Sequence, residues 1–208
     1  MTRTRSAGLK AHLVEAADEL LDTQGPGSLT TRQIARHAAV SDGVLYNHFA
    51  DREELVVAAL ARRYARLVEG FEARLVEVDG AGDGPSASLE AWLRGFALAL
   101  RDLNAGALHL AAGVLAERGL LEALWVEMHR EPLGIERLRR PLLDRLEAAR
   151  AAGLVAGDVD IDAASTLLFG AAAISAIMLR VNAHADRDAV DRDLDAAVDL
   201  VAVALARR

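Results

Sequence analysis

Apolar positions recur every three or four residues along nearly the whole chain, and no stretch alternates as a strand would. Near the start, Leu9, Leu13, Ala16, Ala17, Leu20 and Leu21 fall on one stripe of a helix that Gly25 and Pro26 terminate. The segment from Leu29 to Leu55, LTTRQIARHAAVSDGVLYNHFADREEL, then carries three helix starts in quick succession. Thr30 with Gln33 forms a capping box inside a Leu29–Ile34 hydrophobic staple, predicting a helix from about Thr31 to Ala38. Ser41 is the next candidate N-cap, with Val40 and Leu45 as its staple, and predicts a short helix over about Asp42 to Phe49. Asp51 with Glu54 repeats the capping logic for a long helix from about Arg52 to Val78.

The stretch DGAGDGPSAS, residues 79–88, reads as a helix-to-helix loop. Its glycines do not have dinucleotide spacing, no strand precedes them and the neighbouring charges are acidic. Beyond it, helices are predicted near 88–103, 105–116, 119–130, 133–152, 161–182 and 188–206, with Gly153 as a stop. The uncharged run Ala163 to Leu179, 17 residues of mostly small side chains, sits at or below the length of a membrane span and reads better as a buried packing helix. Val190, Leu194, Ala197, Val198, Val201 and Leu205 form an apolar stripe opposite Asp191, Arg192, Asp195 and Asp199.

Composition narrows the class. A chain of 208 residues, 52% hydrophobic but only 4% aromatic and rich in Ala and Leu, favours an all-α globular protein. The absence of cysteine excludes disulfides, thiolate metal sites and a cysteine nucleophile, and suits a cytoplasmic protein. No unbroken apolar core follows the basic residues at the N-terminus, as a secretion signal would require. The net charge of −7 argues against generic polyanion binding. Residues 1–50 nevertheless balance five basic against five acidic side chains, which leaves room for a local, oriented basic patch.

Two short helices joined by a tight turn after a longer helix match a helix-turn-helix, whose second member enters the DNA major groove. The threonine pair, the A-x-x-A-x-V-S turn, the G-x-L-Y-x-H-F segment and the acidic EEL beyond resemble the DNA-binding domain of the tetracycline-repressor (TetR) family of bacterial transcriptional regulators, over about residues 9–60. The resemblance implies a helix-turn-helix DNA-binding domain, here residues 1–52, and a larger helical effector-binding and dimerisation domain, residues 53–208. It also implies a homodimer on a near-palindromic operator.

Packing of the two short helices through Ile34, Ala35, Ala38, Val40, Leu45 and Phe49 leaves a polar set for DNA: Thr31, Arg32, Ser41, Asp42, Gly43, Val44, Tyr46, Asn47 and His48. Arg32 can reach guanine or phosphate, Asn47 can pair with adenine, and Val44 can meet a thymine methyl where Gly43 lets the helix come close. Tyr46 and His48 resemble the family's backbone-positioning pair, and the N-terminal turn at Thr31 suits a phosphate. Asp42 departs from the family pattern: a carboxylate repels phosphate and accepts only, for instance from cytosine N4, or else it stabilises its helix dipole. Arg52 stands where the family commonly places a phosphate-contacting lysine, and Arg3, Arg5 and Lys10 could form a basic arm.

In the second half, Ala171, Ala172, Ala173 and Ala176, with the Val190–Leu205 stripe, are candidates for a four-helix dimer interface built from the last two helices. The scarce large side chains Trp92, Phe96, Trp125, Met128 and Phe169 are candidates to line an apolar effector pocket, with Asn104 and His109 orienting the ligand. The six histidines are dispersed and give no metal motif, no cofactor is implied, and no G-x-S-x-G, P-loop or zincin pattern suggests an enzyme. A ligand-released repressor is therefore the leading reading. A helical interaction module, or an activator without ligand-controlled repression, is the alternative.

Overall fold

Capping and apolar periodicity translate directly into helices. The structure, a computed structural model, describes residues 2–80, 85–115, 117–130, 134–182 and 184–206, with the side chains of 2–6, 85–88 and 128–130 left out of that description. The helices are α1 (Thr2–Leu21), α2 (Thr31–His37), α3 (Asp42–Tyr46), α4 (Arg52–Gly80), α5 (Pro85–Val114), α6 (Arg118–Arg130), α7 (Ile135–Ala151), α8 (Ile161–Val181) and α9 (Arg187–Ala206). A 3-10 turn spans Pro26–Ser28, and no strand occurs among the described residues.

Three local expectations change. The third helix ends at Tyr46, short of Phe49. The pair of helices expected on either side of residue 104 is one uninterrupted α5. Gly106 does not break it, because a single helical glycine costs only about 1 kcal/mol and its missing Cβ, which would lie 2.7 Å from Leu67 Cδ2, lets α4 and α5 approach closely. The basic arm is the start of α1, which runs from Thr2, and Lys10 lies over the Phe49 ring at 4.8 Å and 3.6 Å from Glu54.

Two compact units divide the chain: Met1–Arg66 with His109–Leu133, and Leu67–Leu108 with Gly134–Arg208. This differs from the boundary expected after Arg52. Leu55, Val56, Ala59 and Leu60 of α4, with Val114 of α5 and Leu120 of α6, are buried in one core with Leu13, Ile34, Leu45 and Phe49. The first turns of α4 therefore complete the first unit instead of opening the second.

In the first unit, α1 and α4 are joined by Asp18, almost fully buried, which accepts from Arg63 and, at 2.6 Å, from Arg66. Burial pushes the Asp18 carboxyl up, but the hydrogen bonds and charges of Arg66 and Arg63 outweigh it and hold the group below its ordinary range.

The second unit is centred on aromatics. Trp92 stacks on Phe96 at 5.3 Å, Phe71 meets Phe96 edge-on at 5.5 Å and Phe169 lies 6.0 Å from it. The charged side of α9 pairs within the unit while its aspartates remain partly exposed. Asp195 and Asp199 accept from Arg94 at 2.9 and 2.6 Å, and Asp191 accepts from the buried Arg101, so this face is docked on α5.

Leu194, Val198, Val201 and Leu205 of α9 are buried within the unit, as are Ala172 and Ala176 of α8. The expectation of a buried packing helix over Ala163 to Leu179 holds for one side of α8 and not for the other. Leu167, Ile174, Met178 and Val181, spaced by three, four or seven residues, form an exposed apolar row on its other side, and Leu200 and Val203 are exposed on α9. By length and composition α8 could also cross a membrane.

Candidate nucleic-acid interface

The α2 N-terminus forms as its sequence requires. Gln33 N–H donates to Thr30 Oγ1 at 3.3 Å and Thr30 N–H donates to Gln33 Oε1 at 2.9 Å, completing the capping box. Leu29 and Ile34 are buried beside it, as the staple requires. Ser41 occupies the N-cap of α3 by backbone conformation, but its side chain makes no cap hydrogen bond.

The turn between the two helices carries a signal the sequence conceals. Ala39 has φ of 54°, and Val40 N–H donates to Ala35 O at 2.9 Å while Ala39 N–H donates to Arg36 O at 3.2 Å. That is a Schellman end with alanine where glycine is usual. The left-handed backbone costs about 1–2 kcal/mol. His12 Nε2, 3.0 Å from Ala38 O, and the buried Leu45 and Phe49 hold it in place.

The two short helices leave the expected polar residues at least partly exposed, and bring some of them together. Thr31 Oγ1 and the Tyr46 hydroxyl lie 3.3 Å apart, linking the start of α2 to the end of α3, and Tyr46 is 54% exposed. Arg32, Ser41, Asp42, Gly43 and Asn47 are exposed, and Val44 and His48 are half-buried. A cleft of about 600 Å³ is lined by Thr30, Arg32, Gln33, Arg36, Val40, Ser41 and Asp42.

Arg36 is a residue that sequence reasoning missed, although its spacing of four from Arg32 places both on one helical face. Arg52 behaves differently from expectation: its guanidinium donates to Leu29 O and Pro26 O and lies 3.5 Å from Glu117. Among the first unit's described arginine side chains, Arg32 and Arg36 alone lack a carboxylate partner; Arg52, Arg62, Arg63, Arg66 and Arg118 each have one.

The proposed effector residues do not gather in one unit. Trp92, Phe96, Asn104 and Phe169 belong to the second, whereas His109, Trp125 and Met128 belong to the first. Trp92 and Phe96 are buried, and the Trp92 indole donates to Asp79 at 2.6 Å with Arg145 above its ring at 5.5 Å. His109 is exposed on a crevice of about 360 Å³, Trp125 is 63% exposed, and the Met128 side chain lies outside the described residues. In the second unit a groove of about 380 Å³ runs between α8 and α9, lined by Ala171, Ile174, Ser175, Met178, Val190, Leu194 and Ala197 among others. No group of three or more potential metal ligands occurs among the described residues.

Comparison with known proteins agrees with this geometry. Residues 13–59 match the family model described as bacterial regulatory proteins, tetR family. The HTH-type transcriptional regulator BetI of Pseudomonas fluorescens is 31% identical over 86 residues, which is 41% of this chain and 43% of that relative's length. A solved structure from Mesorhizobium loti, assigned to the TetR family of transcriptional regulators, is similar at 20% identity with a TM-score of 0.66, covering 96% of this chain and 97% of the other. The fatty acid degradation regulator FadR from Bacillus halodurans is similar at 15% identity with a TM-score of 0.52, over 96% and 97% of the two chains. These structural likenesses establish a shared all-helical fold. The family-model match covers the helix-turn-helix, residues 13–59, and the structural likenesses extend the shared fold over nearly the whole chain.

Proposed function

We propose that the chain is a cytoplasmic, DNA-binding transcriptional regulator, a homodimeric repressor released from a near-palindromic operator by a small apolar ligand. The observation that carries this reading is the exposed α2–α3 face. Arg32 and Arg36 stand there without carboxylate partners, beside the linked hydroxyls of Thr31 and Tyr46, in a protein whose net charge is −7. Unpaired guanidiniums on such a surface suit phosphate and guanine edges. Thr31, Tyr46 and His48 are assigned to phosphates, and Arg32, Asp42, Gly43, Val44 and Asn47 to bases, with Ser41 positioning the start of α3.

The exposed apolar row of Leu167, Ile174, Met178 and Val181, with Leu200 and Val203, supports self-association through α8 and α9. An apolar effector is inferred from the aromatic cluster of Trp92, Phe96 and Phe169, with Asn104 as its polar contact; His109, Trp125 and Met128 are the first unit's candidates. A ligand acts here by favouring the dimer geometry in which two recognition helices no longer match successive grooves.

Selection from a random duplex pool at low salt tests this reading. Recovery of a two-fold symmetric site supports it, and failure to retain any duplex overturns it.

A further inference from the structure

Within the first unit, the turn that precedes α2 is gripped from two sides. Arg52, in the first turn of α4, donates to the carbonyls of both Pro26 and Leu29, which fixes the chain immediately before the Thr30 cap. Its remaining arm lies 3.5 Å from Glu117, between α5 and α6. The same corner presses on the turn directly: a Cβ on Gly113 would fall 2.6 Å from Pro26 Cδ, and a Cβ on Gly27 would run into the Glu117 carboxylate. Neither Arg52 nor Glu117 is more than one-third exposed.

We propose that Arg52 and Glu117 are positioning residues for DNA binding, forming a joint through which the α5–α6 corner sets where α2 and its capped N-terminus sit. This rests on the DNA-binding reading and assigns Arg52 a role other than the phosphate contact its sequence position suggests. A planar guanidinium is needed because only a fork of donors spans two carbonyls and a carboxylate; an ammonium is a single point charge. Linkage makes the coupling reciprocal: if the corner biases DNA affinity, DNA biases the corner.

The test uses the full chain carrying Trp92→Phe, which leaves Trp125 of α6 as its one tryptophan, and a duplex obtained by selection. Arg52→Ala and Glu117→Gln are each expected to weaken duplex binding about five- to tenfold without changing the slope of log affinity against log salt. The double variant is no weaker than the weaker single, because both break one joint. Arg52→Lys does not restore affinity, and Gly27→Ala, which displaces the Glu117 carboxylate and removes no charge, reproduces the loss. Saturating duplex shifts Trp125 emission in the parent and not in Arg52→Ala.

A salt slope that falls by about one in Arg52→Ala, with full rescue by lysine and no response to Glu117→Gln, would make Arg52 a phosphate contact and overturn the joint alone. Absence of any duplex binding by the parent would overturn the DNA-binding reading itself, and the joint with it.

Discussion

The α2–α3 face and the outer row of α8 are both exposed, yet they are built from opposite materials. The first presents Arg32 and Arg36 on a cleft and, outside that cleft's lining, Tyr46 with Thr31 and Asn47. The second presents Leu167, Ile174, Met178 and Val181 with no charge among them. Within the second unit other side chains meet their partners internally, as Arg94 does with Asp195 and Leu194 does in the core. On the proposed reading the two surfaces suit two kinds of partner, a polyanion and an apolar protein face.

The largest effect is expected from spoiling the apolar member of this pair. Ile174→Glu places an unpaired charge in the self-association face at a cost of about 3 kcal/mol, roughly a hundredfold in association. Sedimentation should then report a monomer at concentrations where the parent is dimeric, and an unchanged mass would move the interface off α8.

Next is the scaffold behind the polar face. Asp18→Asn leaves Arg63 and Arg66 without their shared carboxylate and should destabilise the chain by about 2–3 kcal/mol, read by thermal denaturation. The sign of the pH dependence follows from the depressed carboxyl. Its contribution is fully present above its unfolded value of 3.8 and is lost as pH falls below that through the lower folded value. The variant should therefore be less sensitive than the parent to acid in that range.

A smaller effect comes from the polar face itself. Thr31→Ala with Tyr46→Phe should weaken duplex binding by about 1–2 kcal/mol and leave stability within about 0.5 kcal/mol. A loss of stability equal to the loss of binding would make the pair structural. Least of all, Asp42→Asn removes a carboxylate from the cleft and should raise affinity for random duplex by about twofold, as expected for one exposed charge. No change would place Asp42 away from DNA and leave it to its helix dipole.

What was legible in the sequence was local. Thr30 with Gln33 and Asp51 with Glu54 are signals only four residues long, and both form as read, with Glu54 N–H donating to Asp51 Oδ1 at 2.8 Å. The exposed set on α2 and α3 was legible for the same reason, since short helices leave little choice of face. Long-range facts were not. Arg52 is separated from Glu117 by 65 positions, so its sequence neighbours suggested a phosphate contact. The partners of the α9 aspartates could not be read because Arg94 and Arg101 are far away in the sequence, on α5. The end of α2 near Ala38 was legible, but its left-handed geometry was not, because Ala39 stands where glycine is usual. Periodicity found the α8 and α9 helices but could not say which apolar row would be covered within the unit and which would be left out.

The most direct test of the polar face is the salt dependence of duplex binding in the parent and in the Arg32→Ala, Arg36→Ala double variant. If both guanidiniums neutralise phosphates, the slope of log affinity against log salt falls by about 1.8, at about 0.9 per contact, while the thermal midpoint stays unchanged. An unchanged slope, with duplex binding intact, would show that DNA is held by some other surface.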